Sequence, residues 1–117
     1  DLDRLALRHL CDRERRARHR MRSKDFPDLF LRLWTRKEAF LKATGEGLSR
    51  ALSSLDLLDP SDPRARTSGS NRWRKLGGWS LADFEPAPGY LAAIAVASRG
   101  WSWTWWRLYG AAPVPLR

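Results

Sequence analysis

The sequence predicts an α+β domain in which an antiparallel sheet packs against one long helix. Two observations carry this. Apolar residues at near-helical spacing fill the N-terminal part, and short apolar runs separated by Gly and Pro turns fill the C-terminal part. No strand alternates with a crossover helix, which speaks against a parallel sheet.

The elements follow in order. Apolar residues at 2, 5, 6, 7 and 10 predict a short helix over Asp1–Leu10, and helix-favouring residues predict a second over Asp12–Met21 after a break at Cys11. Ser23 or Asp25 can cap a third helix, Pro27 is tolerated in its first turn, and Gly45 is a natural C-terminal stop, so this long helix covers roughly Phe26–Thr44. Leu52–Leu58 reads as a strand, and DPSDPRARTSGSN at 59–71 as a loop. Arg72–Leu76, Gly78–Phe84 and Tyr90–Ala97 read as further strands, joined by a tight Gly77-Gly78 turn and a longer PAPG turn at 86–89. The segment after Ser98 is Trp-rich. Alternation of Trp101, Trp103 and Trp105 gives one face of a strand packed on the domain, with a partner-binding or base-stacking surface as the alternatives.

Composition bounds the function. The chain has 117 residues, 22 Lys and Arg against 13 Asp and Glu, and a net charge of +9, which fits one domain. At 43% hydrophobic and 30% charged it is globular in composition. Cys11 is the lone cysteine, so internal disulfides and cysteine-rich zinc sites are excluded. The longest uncharged runs, around Trp79–Phe84 and Pro86–Ser98, are too short or too broken to span a bilayer, and the chain reads as soluble, unexported and cytoplasmic, with no membrane partner. Positive charge is concentrated between Arg4 and Lys24, which suits a polyanion or an acidic partner, or simply a solvated Arg-rich face.

The chemistry concentrates on the long helix. Taking 100° per residue from Leu29, the residues Leu29, Leu33, Phe40, Thr44, Phe30, Leu41 and Trp34 fall within an arc of about 140°, the core face. Lys37 sits inside that arc, near 80°, where an ammonium must either snorkel out or meet an anion. Glu38 and Lys42 lie on its flank, at about 180° and about 220°. A carboxylate between two ammonium groups suits a metal–phosphate site, the carboxylate holding Mg²⁺ and the lysines neutralising phosphate oxygens. An ordinary Glu38–Lys42 surface pair with Lys37 snorkelling is the plainer reading of the same spacing.

LWTRKEAFLKATGEGLS at 33–49 closely resembles the W-(S/T)-x-K-E-(A/S)-x-x-K-x-x-G-x-G-L-S signature of the surfactin-type (group II) 4′-phosphopantetheinyl transferases. LALRHLCDRE at 5–14 is similar to that family's I-A-x-R-F-F-S-x-x-E segment, and PGYLAAIAVA at 88–97 to its closing strand, so the resemblance spans about residues 2–98. It implies one half, the C-terminal one, of a pseudo-twofold fold: a C-terminal transferase domain over 1–98 and a Trp-rich tail over 99–117. The implied activity, of the holo-[acyl-carrier-protein] synthase type, moves 4′-phosphopantetheine from coenzyme A to a serine of an acyl or peptidyl carrier protein with Mg²⁺. The resemblance assigns Glu38 to the metal and to catalysis. It assigns Lys37 and Lys42 to the pyrophosphate of coenzyme A, Lys42 also to catalysis, and His9, Leu10 and Cys11 to the carrier. The G-(I/V)-D-x-E strand that carries the family's other metal carboxylates is absent, as is the N-terminal half that grips the adenine and 3′-phosphate. The chain is therefore expected to be a fragment with little or no activity alone. The competing classes are a basic nucleic-acid-binding module, which leaves the 33–49 signature unexplained, and a non-catalytic structural domain that keeps the fold.

Overall fold

The computed structural model describes residues 2–47, 50–58, 74–97, 106–109 and 112–115; for 74–76, 106–109 and 112–115 the description is of the backbone. Helix α1 spans Leu2–His9, α2 spans Asp12–Arg20, and α3 spans Phe26–Thr44, close to the expected positions. A short 3₁₀ turn at Ser23–Asp25 leads into α3, whose first turn accepts Pro27 because a helix leaves its first N–H groups unpaired in any case. At the other end Gly45 takes φ 74°, the left-handed cap that an L side chain adopts only at a cost.

Strands β1 (Arg74–Leu76), β2 (Trp79–Phe84) and β3 (Ala92–Val96) form an antiparallel sheet in that order, with Leu76 opposite Trp79 and Ser80 opposite Val96. The tight turn between β1 and β2 is made by Gly77, at φ 61°, and Gly78. The fold is α+β, as the sequence predicts, with the sheet packed through β2 and β3 onto α3. Strands β4 (Trp106–Tyr109) and β5 (Ala112–Pro115) form a separate antiparallel pair. The expected loop at 59–71 and the alternating Trp101, Trp103 and Trp105 lie outside the described residues.

Among the described residues one cluster forms the core. Ala6 and Leu10 from the α1 region, Phe26, Leu29, Phe30, Leu33, Phe40 and Leu41 from α3, the leucines at 52, 55, 57 and 58, and Leu81 of β2 are buried together. At about 1.5–3 kcal/mol for each fully buried large apolar side chain, α3 supplies the largest share of this burial.

The segment expected as a strand at Leu52–Leu58 is not one. It is a 3₁₀ turn at Leu52–Ser54 followed by irregular chain, with all four leucines buried. A short apolar segment reads as a strand because buried backbone must be hydrogen-bonded, and a sheet is the usual way. Here charged side chains do that work. The Leu52 carbonyl accepts from Lys37, the Leu57 carbonyl from Arg36 and the Leu58 carbonyl from Arg13, while the Leu57 N–H donates to Glu14.

Candidate functional site

Lys37 and Glu14 are the most deeply buried charges among the described residues, at 1% and 0% exposure. Lys37 Nζ donates to Glu14 Oε2 at 2.6 Å, to the His9 carbonyl at 2.7 Å and to the Leu52 carbonyl at 3.0 Å. An ammonium has three N–H donors, and here each has an acceptor. Glu14 is equally occupied. Its Oε2 also accepts from the Cys11 N–H at 3.0 Å, closing the first turn of α2, and its Oε1 accepts from the Leu57 N–H at 3.0 Å. The anion that the position of Lys37 called for is Glu14, which stands three residues after the Cys11 N-cap.

A second network, built on two buried arginines, lies nearer the start of α3. Arg32 Nε donates to Asp28 Oδ2 at 2.9 Å and its Nη2 to Glu85 Oε1 at 2.9 Å, while Arg36 Nη2 donates to Asp83 Oδ1 at 2.9 Å. Burial alone would lower the pKa of Arg32, but Asp28, Asp83 and Glu85 outweigh it and hold the pKa above its ordinary value. Arg32 and Arg36, one helical turn apart, thus tie α3 to Asp83 of β2 and to Glu85, the residue that follows the strand. They set the helix on the sheet.

The flank of α3 differs. Glu38 is half-buried and Lys42 exposed. Among the described residues neither side chain forms an ion pair or a hydrogen bond, so the simple i,i+4 surface pair is not made. Lys42 stands in the last turn of the helix, where its charge also complements the negative end of the helix dipole.

The three residues expected to meet a partner are placed differently from one another. Leu10, at 1% exposure, has its side chain in the core. His9 is half-buried, its ring edge-on to Trp34 with centroids 5.2 Å apart. Cys11 is half-buried at the N-cap of α2, and burial pushes its thiol pKa up. With Arg13, Arg15, Arg16, Asp12, Ser53 and Asp56, Leu10 and Cys11 line an open cleft of about 560 Å³. Exposed Arg16 and Arg20 continue the positive surface along α2.

Two places bear on a metal. The Cys11 thiol and carboxylate oxygens of Glu14 and Asp56 lie within 4.8 Å of one another. That set does not fit Mg²⁺, which wants oxygen donors free to ligate: Glu14 is committed to Lys37 and two amides, and Asp56 pairs with Arg13 at 2.9 Å. Glu38 fits better. It is an accessible carboxylate without a partner among the described residues, and Mg²⁺ on phosphate substrates is commonly held by one or two carboxylates together with water and phosphate oxygens.

The buried pairs were missed in the sequence. Glu14 closes the quoted 5–14 segment, and a lysine on the apolar arc signals that an anion must be found. Nothing local says which of the 13 acidic residues supplies it.

The comparisons with known proteins agree with this organisation. The profile of the 4′-phosphopantetheinyl transferase superfamily matches residues 1–95. The chain is similar to the 4′-phosphopantetheinyl transferase HetI of Nostoc sp. (strain PCC 7120), 33% identical over 106 residues that cover 91% of this chain and 42% of HetI. It is also similar to slr0495 of Synechocystis sp. (strain PCC 6803), named for the same activity, 40% identical over 73 residues that cover 57% of this chain and 28% of that protein. The chain thus spans less than half the length of either relative. No solved structure matches it with significance. A match over most of the chain, on the segments that build α1 to α3 and the sheet, places this chain in the 4′-phosphopantetheinyl transferase superfamily.

Proposed function

We propose that the protein carrying this chain transfers 4′-phosphopantetheine from coenzyme A to a serine of an acyl or peptidyl carrier protein, in the holo-[acyl-carrier-protein] synthase manner, with Mg²⁺. The observation that carries the reading is the outer flank of α3. In a helix otherwise pinned by ion pairs, Glu38 and Lys42 are one turn apart and have no partner among the described residues.

In this reaction the serine Oγ attacks the phosphorus that bears the pantetheine arm. A P–O bond forms to the serine, the bond to adenosine 3′,5′-bisphosphate breaks, and the serine proton must leave. Glu38 can take that proton, directly or through one water, and its carboxylate is the group here that would hold Mg²⁺. When bound, the metal supplies charge neutralisation on the pyrophosphate. Lys42 supplies positive charge to phosphate oxygens, which matters most as negative charge shifts to the leaving group. The cleft at Leu10 and Cys11, with the exposed arginines of α2, gives an acidic carrier a docking surface; such attraction acts mainly on association rate and is screened by salt. On this reading the remaining metal carboxylates and the adenine-binding residues belong to a preceding half, and this chain alone has little or no activity.

The test is transfer of a fluorescent pantetheine arm from labelled coenzyme A to an apo carrier protein, run with protein from the full reading frame and with Glu38→Gln. The amide keeps the shape and loses the charge. Transfer that requires Mg²⁺ and nearly vanishes in Glu38→Gln, with an unchanged unfolding midpoint, is the expected result. Wild-type turnover in that variant would remove Glu38 from the reaction.

A further inference from the structure

The two lysines of the signature do not stand in equivalent places. We propose that Glu14 is a positioning residue: by holding the Lys37 ammonium on the inner side of α3 it fixes the rotation of the helix, turning Glu38 and Lys42 outward, and Lys37 itself does not touch the coenzyme. The kinetic part of this rests on the transfer reading above; the placement of Lys37 does not.

The argument starts from the donors. Three acceptors at 2.6, 2.7 and 3.0 Å use every N–H of the ammonium. To reach a phosphate, Lys37 would have to leave the Glu14 carboxylate, at 0% exposure, without a counter-charge and give up its bonds to two backbone carbonyls. The pair also gathers separate pieces of chain: the end of α1 through His9, the start of α2 through Glu14, the middle of α3, and the segment 52–57 through Leu52 and Leu57. Each residue turns an α-helix by about 100°, so fixing Lys37 inward fixes Glu38 on the flank. A rotation by one residue would set the Glu38 carboxylate against that of Glu14, two like charges in a buried place, which is strongly unfavourable. The ion pair therefore acts as a register lock for the site's two open groups.

Two measurements on protein from the full reading frame decide this. In the first, the folded protein is acetylated briefly and each lysine is read by mass spectrometry. Lys37 is expected to react at least about 100-fold more slowly than Lys42, because modification must wait for local opening. Equal rates would overturn the placement whether or not the protein transfers anything. In the second, Glu14→Gln, Lys37→Met and the pair combined are compared for thermal midpoint, kcat, and KM for coenzyme A. Each single change is expected to lower kcat and midpoint, because it leaves a charge without its partner. The neutral double is expected to recover at least half of both losses, with coenzyme A KM staying within about 2-fold of wild type throughout. A KM raised tenfold or more by Lys37→Met and not restored in the double would show that Lys37 binds the coenzyme, and would overturn the proposal.

Discussion

Lys37 and Lys42 lie five positions apart on one helix, and the two sides of that helix treat the same functional group in opposite ways. On the inner side the Lys37 ammonium is sealed, 1% exposed, between a carboxylate and two carbonyls. On the outer side the Lys42 ammonium is in water with no partner among the described residues. Burial magnifies whatever a charge does, because the low dielectric strengthens a good pair and makes a broken one costly. Exposure does the reverse, and leaves the group available to a ligand. A motif that spells K-E-x-x-x-K therefore contains two different kinds of lysine.

That contrast can be broken by stability measurements, in descending order of expected effect. Lys37→Ala leaves Glu14 charged and unpaired in the interior and should lower unfolding stability by about 3–5 kcal/mol, read from urea denaturation. A loss below about 1 kcal/mol, the ordinary effect of a point change, would erase the distinction between the two sides. Gly45→Ala comes next. Among the described residues the position has no neighbour that a new Cβ would meet, so the cost is that of a left-handed backbone, about 1–2 kcal/mol. A neutral result would mean that the helix ends elsewhere in solution.

Lys42→Ala should cost only the interaction with the helix end, about 0.3–1 kcal/mol, while raising the KM for coenzyme A. An unchanged KM would leave Lys42 as a surface charge. The smallest effect belongs to Cys11. Its thiol pKa is raised in the folded chain, chiefly by burial, so the neutral form is favoured there. The associated stability is present below the thiol pKa of the unfolded chain and is lost as pH rises through the folded value. Comparing wild type with Cys11→Ala from about pH 7 to about pH 10, the wild type should lose stability slightly faster at the alkaline end. Identical curves would show that the thiol is as well solvated in the folded chain as in the unfolded one.

How much of this was legible depends on the range of the interaction involved. Helix α3 was readable to its ends because its determinants are local: apolar spacing, Pro27 in the first turn and Gly45 after the last. The antiparallel strands and their glycine turn were readable for the same reason, and the resemblance over 33–49 pointed to Glu38, Lys37 and Lys42 as candidates. The anomaly of Lys37 was also visible, since a lysine among leucines and phenylalanines needs an anion.

The sequence by itself determined the α+β class, the placing of the helices and the family. Tertiary structure alone decided which carboxylate answers Lys37, that Arg32 and Arg36 are tied down at Asp83 and Glu85, and that the leucines at 52–58 form no strand. The physical reason is the same in each case. Glu14 and Lys37 are 23 residues apart, Arg36 and Asp83 are 47 apart, and the Leu57 N–H reaches Glu14 across 43. Periodicity fixes which face of an element turns inward; the partner it meets there is set by how the elements pack.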